Sequence, residues 1–360
     1  MFSGATNMHS GTNPATASAM RDAIEALAGP AIVIGRSRIA GMVRAFYQDA
    51  DRGAAETARV VSRSPALASR LIAVANTIQH GAGIPATSVE AATVRIGEDR
   101  VKSLAIAHEA GLALASVLSE SVDFASFWHQ CVARGCIARA MAMNADPRIA
   151  GRAFLVGVLQ DAGIPLLRRA EPADYDEILR RSEGSPLRLA LLEWQSFNLN
   201  HIHVGLKLLN GWGLPDDIVE PVGRHHTNPP AAATGDRAIR LWQIGYIAGA
   251  LPIGAEPSAD AANLTLQRLI GTAMNLAGDA VDRLLRQAAA EYQDVAELFR
   301  AFAPPVRSVA ELLAPAAAAL DAAYDGAAAE LSMAAPEQIR TERAALNADA
   351  AQPVYVTTLL

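Results

Sequence analysis

The side chains best placed to do chemistry are a carboxylate, two carboxamides and a set of histidines. Gln160 and Asp161 lie inside Phe154-Leu155-Val156-Gly157-Val158-Leu159-Gln160-Asp161-Ala162-Gly163-Ile164-Pro165-Leu166-Leu167. An amide and a carboxylate in so apolar a run are desolvated, which costs free energy unless each finds a partner. Candidate partners are His129-Gln130, His201 and the pair His225-His226. Together these types could hold a metal ion, bind an anionic ligand, or do no more than bridge helices. His203 lies two residues from His201, so on a helix it faces elsewhere and is expected at the surface. His129 beside Trp128 reads as a packing residue, and His9, His80 and His108 carry no argument.

The elements that must position these residues read as helices almost throughout. Apolar residues recur every three to four positions, Ala and Leu abound, and strand-like alternation is scarce. Ser64-Pro65 and Ser88 are helix starts. Helices are expected from Phe124 to Met143, Phe154 to Leu167, Pro186 to Asn198, from His201, from Pro215 to His226, Ala238 to Leu251, Leu264 to Ala277 and Ala280 to Phe302. Trp212 is expected to anchor the turn before Pro215, and Glu171 to Asp176 reads as an acidic linker. The expected domains are a tail over 1–20, a helical domain over 21–303 and an Ala-rich helical extension over 304–360.

The chain has 360 residues, is 51% hydrophobic and carries a net charge of -6. That composition excludes wholesale disorder, and the acidic balance argues against a general nucleic-acid surface. Cys131 and Cys136 read as packing residues in a reducing cytoplasm. The apolar runs are interrupted by charged residues, Gly or Pro, and the first residues lack the pattern of a signal peptide, so no membrane segment is expected.

Taken in order, these marks resemble the HDOD family, a divergent branch of the HD superfamily of metal-dependent phosphohydrolases. Ser64-Pro65-Ala66-Leu67 with Leu71 and Ala75-Asn76 is similar to its Asp-Pro-x-Leu…Leu…Ala-Asn signature, with Ser64 in place of Asp. Ser88-Val89-Glu90-Ala91-Ala92 through Gly97 resembles its next helix, and Leu159-Gln160-Asp161-Ala162-Gly163 its Leu-His-Asp-Ile-Gly. His201 to Gly205, Trp212 to Pro215 and His225-His226 resemble its His-x-x-Val-Gly…Trp-x-Leu-Pro…His-His tail. The resemblance covers roughly Ala26 to Phe302.

It implies an all-α, multi-helix bundle acting as a cytoplasmic bacterial signalling module. It also implies signalling proteins as partners, in cyclic-dinucleotide, two-component or developmental pathways, through protein contact or ligand sensing. An HD phosphohydrolase holds its metal through an early His, the His-Asp pair and a later Asp. Here those positions carry Gln130 (or, one residue off, His129), Gln160 and Gly245, and of the expected ligands Asp161 alone clearly remains. No catalytic residue, metal ligand or cofactor is therefore expected. The candidate site is a ligand pocket of Gln130, Gln160, Asp161, His201, His225 and His226, with a nucleotide as candidate ligand. The rival is a phosphohydrolase or phosphodiesterase with an altered metal site.

Overall fold

A computed structural model describes residues 14–48, 53–78, 84–118, 124–230, 235–250, 270–272 and 274–299. Among them every regular element is a helix, as the spacing predicts. The helices are α1 (Pro14–Val43), α2 (Ala54–Val61), α3 (Pro65–Ile78), α4 (Val89–Ile96), α5 (Glu98–Ala115), α6 (Phe124–Ala145) and α7 (Ala150–Leu159). They continue as α8 (Ile164–Ala170), α9 (Pro172–Ser182), α10 (Pro186–Phe197), α11 (His201–Trp212), α12 (Asp216–Gly223), α13 (Arg237–Gly249) and α14 (Gly278–Phe299).

Local chemistry sets many of the boundaries. Ser88 accepts the Ala91 N–H at 3.1 Å, and Asp236 accepts that of Ile239 at 3.1 Å. Asn200 and His203 cap α11 reciprocally, the Asn200 side chain taking the Ile202 and His203 N–H groups while His203 Nδ1 accepts the Asn200 N–H.

Three expectations need correction. The stretch from Phe154 to Leu167 is two helices, because Gln160 to Gly163 form a turn between α7 and α8. Pro165 then sits in the first turn of α8, where its missing N–H costs nothing. The acidic linker is helical: Pro172 opens α9 and Asp174 favours its positive end. The helix α1 begins at Pro14, inside the stretch read as a tail, and Met20 on it is fully buried. The Ala-rich extension over 304–360 and most of the expected helix from Leu264 to Ala277 lie outside the described residues.

The centre of the fold is α6, buried on nearly every side and in contact with α7, α13 and α14. It approaches α7 at glycine distance: a Cβ on Gly157 would stand 2.8 Å from the Gly135 Cα and 2.9 Å from the Arg134 carbonyl oxygen. Around this pair, α3, α5 and α14 contribute fully buried Leu67, Leu71, Leu104 and Tyr292. Each buried leucine contributes about 1.5–3 kcal/mol relative to an exposed one. On the other flank α1 lies across α5, α8 and α11. Trp212, fully buried at the end of α11, donates its Nε1–H to the Ala31 carbonyl oxygen at 3.1 Å. The expected role of Trp212 as an anchor thus includes fastening α1 to α11.

By length and composition alone two helical runs, Met20–Tyr47 and Pro147–Ala170 with its break at the α7–α8 turn, match a membrane span. The second is 94% buried in the protein, as a core segment is expected to be.

Candidate functional site

The turn between α7 and α8 carries Gln160 and Asp161 into the interior, both almost wholly buried. The turn fits only because position 163 is glycine. A Cβ there would lie 2.2 Å from the His201 carbonyl oxygen and 3.0 Å from the Gly205 nitrogen. Gly163 therefore seats the turn directly on the first turn of α11, where His201 begins the helix.

Asp161 is shared between two kinds of partner. Its Oδ2 accepts from Arg134 Nη1 in a buried ion pair from α6. Its Oδ1 faces His201 Nε2 at 3.3 Å and His225 Nε2 at 3.4 Å. The two imidazoles stand 3.4 Å apart through the same nitrogens, and His226 Nε2 lies 3.3 Å from His201 Nε2. One donor atom from each of Asp161, His201, His225 and His226 falls within 4.8 Å of the others.

The outer bonds of these rings decide where their protons sit. His225 Nδ1 lies 2.6 Å from the Val222 carbonyl oxygen, which can only accept, so His225 carries its proton on Nδ1. His201 Nδ1 lies 2.6 Å from Glu193 Oε2, and the same oxygen accepts the His201 N–H at 2.8 Å. Glu193, buried on α10, also accepts from the Tyr175 hydroxyl. Burial and the neighbouring Glu193 carboxylate raise the Tyr175 hydroxyl well above its ordinary range, which keeps it a neutral donor. Burial, then the neighbouring His201, lowers His225 to about 3. Burial, with His225, His201 and Arg134 alongside, holds His226 well below the usual histidine value. Both therefore stay neutral imidazoles near pH 7. Arg134, lowered by burial only to about 10, keeps its charge.

Gln160 is satisfied in one amide orientation, assigned from its bonding pattern. Its nitrogen donates to the Gly245 carbonyl oxygen at 3.2 Å. Its oxygen accepts the Gly249 N–H at 3.2 Å and Arg134 Nη1 at 3.1 Å. The amide thus ties the turn to α6 and α13 and offers nothing to an ion. At the later-Asp position Gly245 has no side chain, and a Cβ there would meet Val156 Cγ1 at 2.9 Å. The inherited ligand positions do not fit a metal.

Of the residues singled out from sequence, Asp161, His201, His225 and His226 converge, and Gln160 frames them. Gln130 is half-buried on α6, and the bond to Asp161 is made by Arg134, one turn further along. Sequence reasoning missed Arg134 and Glu193. The available signal was a lone charge in an apolar helix, in Cys131-Val132-Ala133-Arg134-Gly135-Cys136 and in Leu191-Leu192-Glu193-Trp194. His203 is half-buried, stacked at 5.3 Å on the exposed Trp194 and turned away from the cluster. His129 bonds Tyr292 on α14 at 2.8 Å. Cys131 and Cys136 are buried free thiols.

The family model for the HDOD domain matches residues 37–228, a little over half of the chain. An uncharacterized protein of Treponema pallidum (strain Nichols) is 21% identical over 173 residues, covering 48% of this chain and 33% of the relative. The chain thus spans about a third of the length of that curated relative. Among solved structures, an HDOD domain protein of unknown function from Geobacter sulfurreducens aligns with a TM-score of 0.54 and 19% identity, covering 80% of this chain and 97% of its own. A Shewanella amazonensis SB2B protein provisionally named a phosphohydrolase aligns at 0.54 and 20%, over 78% of this chain and 98% of its own. A Marinobacter aquaeolei VT8 protein provisionally named a signal transduction protein aligns at 0.51 and 18%, over 80% and 66%. At these identities the structures share the fold.

Proposed function

The chain belongs to the HDOD domain family, and from that premise we propose that it is a non-hydrolytic regulatory module of bacterial signalling. The observation that carries the reading is Arg134. Its guanidinium holds one oxygen of Asp161, the last of the inherited ligands, and supplies the positive charge that an ion would otherwise bring to that oxygen. Gln160 and Gly245 remove two further ligands, so the inherited way of activating water has no residues to work through. The donor atoms lie too close together to admit a nucleotide among them. Regulation through protein contact is therefore favoured over nucleotide sensing at this site. The partners that this reading implies are signalling proteins of the cytoplasm.

The test is hydrolysis. The full chain is incubated with cyclic dinucleotides, nucleotides and a chromogenic phosphodiester, with manganese, iron, magnesium or zinc added in turn. No turnover above a metal-only control is expected. Turnover abolished by Asp161→Ala would establish the rival phosphohydrolase.

A further inference from the structure

Two apolar side chains beside α4 stand in water on a backbone that is firmly held. Val94 of α4 is 70% exposed, and Ile84, shortly before α4, is 86% exposed. Ile84 does not hang from a loose loop tip. Arg95 donates to its carbonyl oxygen at 2.6 Å and to Asn76 Oδ1 at 3.0 Å. The Asn76 amide in turn pairs with the Ala86 backbone in both directions, at 2.8 and 3.1 Å. The surface alongside is a shallow, open hollow of about 580 Å3 lined by Ser88, Glu90, Ala91, Val94 and Arg95. Apolar groups displayed so rigidly stabilise nothing until something covers them.

The chain itself returns to this side of the molecule. The last described helix, α14, ends at Phe299, and the Leu298 carbonyl oxygen accepts from Arg70 Nη1 of α3 at 3.2 Å. Asn76, the α3 residue that Arg95 of α4 grips, lies six positions further along the same helix. That is about 9 Å at the helical rise, whereas ten extended residues reach about 33 Å. The chain after Phe299 therefore has ample length to arrive at α4. In its sequence Leu312, Ala316, Leu320 and Tyr324 recur every four positions. On a helix that spacing gives one apolar stripe, which a single helix cannot bury by itself.

Charge points the same way. Glu311, Asp321, Asp325, Glu330 and Glu337 fall between Arg307 and Arg340 with no Lys or Arg among them. On the receiving face Arg63 is exposed, and the Arg95 guanidinium meets neutral oxygens. Among the described residues no carboxylate pairs with either arginine, and Glu90 is the one acidic group lining the hollow. We propose that the acidic C-terminal segment of this chain, residues 309–325, seats its apolar stripe on the α3–α4 face, over Val94 and Ile84. The segment acts there as a built-in cover, which any partner docking on α4 must first displace. This holds whether or not the chain is hydrolytic.

The test is amide hydrogen exchange on the full chain, read by mass spectrometry, in the parent, Val94→Asp and Leu187→Asp. Leu187, 48% exposed on α10, serves as an apolar surface site away from α4. Peptides from 309–325 are expected to exchange at least tenfold more slowly than the same sequence as a free peptide. Val94→Asp should abolish that protection, because it sets a carboxylate in the apolar contact and against an acidic segment, while Leu187→Asp leaves it intact. Unchanged exchange in α6 shows that both variants fold. The inference is overturned if the parent segment exchanges as fast as the free peptide, if its protection survives Val94→Asp, or if Leu187→Asp removes it equally. Protection that grows with protein concentration, alongside a dimer in gel filtration, would place a second copy on the face and overturn it too.

Discussion

Replacing Arg134 by Met tests whether the guanidinium is what makes a buried Asp161 tolerable. Met keeps much of the volume and apolar stem but no charge. Asp161, 4% exposed, would then present an uncompensated carboxylate oxygen to the core. Breaking a buried pair in this way costs about 3–5 kcal/mol. In a chain of this size that lowers Tm by roughly 6–20 °C, at about 2–4 °C per kcal/mol. Asp161→Asn should cost a similar amount, because it strands the Arg134 charge instead. The double variant Arg134→Met/Asp161→Asn loses both charges at once and should be more stable than the sum of the singles allows, by about 2 kcal/mol or more. The four proteins are compared by guanidinium unfolding, with equal m-values as the condition for comparing them. Additive losses within about 0.5 kcal/mol, or a neutral Arg134→Met, would refute the pairing as the support of this site.

Two further outcomes follow from the same geometry. Gly163→Ala forces a methyl against the His201 carbonyl with backbone on both sides, and should cost about 1–3 kcal/mol or more. Gly205→Ala, whose Cβ meets nothing nearer than 3.9 Å, should be neutral or gain up to about 1 kcal/mol of helix propensity, so equal Tm losses in the two would contradict the packing. His225 is lowered to about 3, against about 6.5 in the unfolded chain, so unfolding takes up a proton below pH 6.5. The stability this group contributes is whole above about pH 6.5 and is lost as pH falls toward 3, about 2 kcal/mol of it between pH 7 and 5. Urea midpoints at the two pH values measure it, and greater stability at pH 5 would contradict a neutral buried His225.

The all-α class and most helix starts were readable because Ser64, Ser88, Pro186 and Pro215 mark them by local chemistry. The family order of the histidines was readable too, and the fold brings His201, His225 and His226 to one point. What could not be read was the break after Leu159. Both halves of that stretch are apolar, and the turn is set by a close contact between Gly163 and α11, which no local pattern announces. Arg134 escaped for a related reason. Its partner lies 27 positions away, across two helices whose near approach depends on Gly135 and Gly157 facing each other. The acidic stretch from Glu171 to Asp176 misled because its charge suggested a linker, whereas Tyr175 and Ile178 give it a buried face.

The glutamine in the turn has one more consequence, for where the folding unit ends. The Gly245 carbonyl and the Gly249 N–H that satisfy Gln160 belong to α13, beyond the last residue matched by the family model. At the other end, the Ala31 carbonyl that takes the Trp212 indole proton lies before the first. A fragment cut to residues 37–228 would keep every histidine of the cluster yet strip the amide beside Asp161 of two backbone partners and leave the Trp212 indole N–H unmet. The interior stays closed only in a piece running from α1 through α14, whose Tyr292 meets His129 of α6, so the matched span marks ancestry and not autonomy.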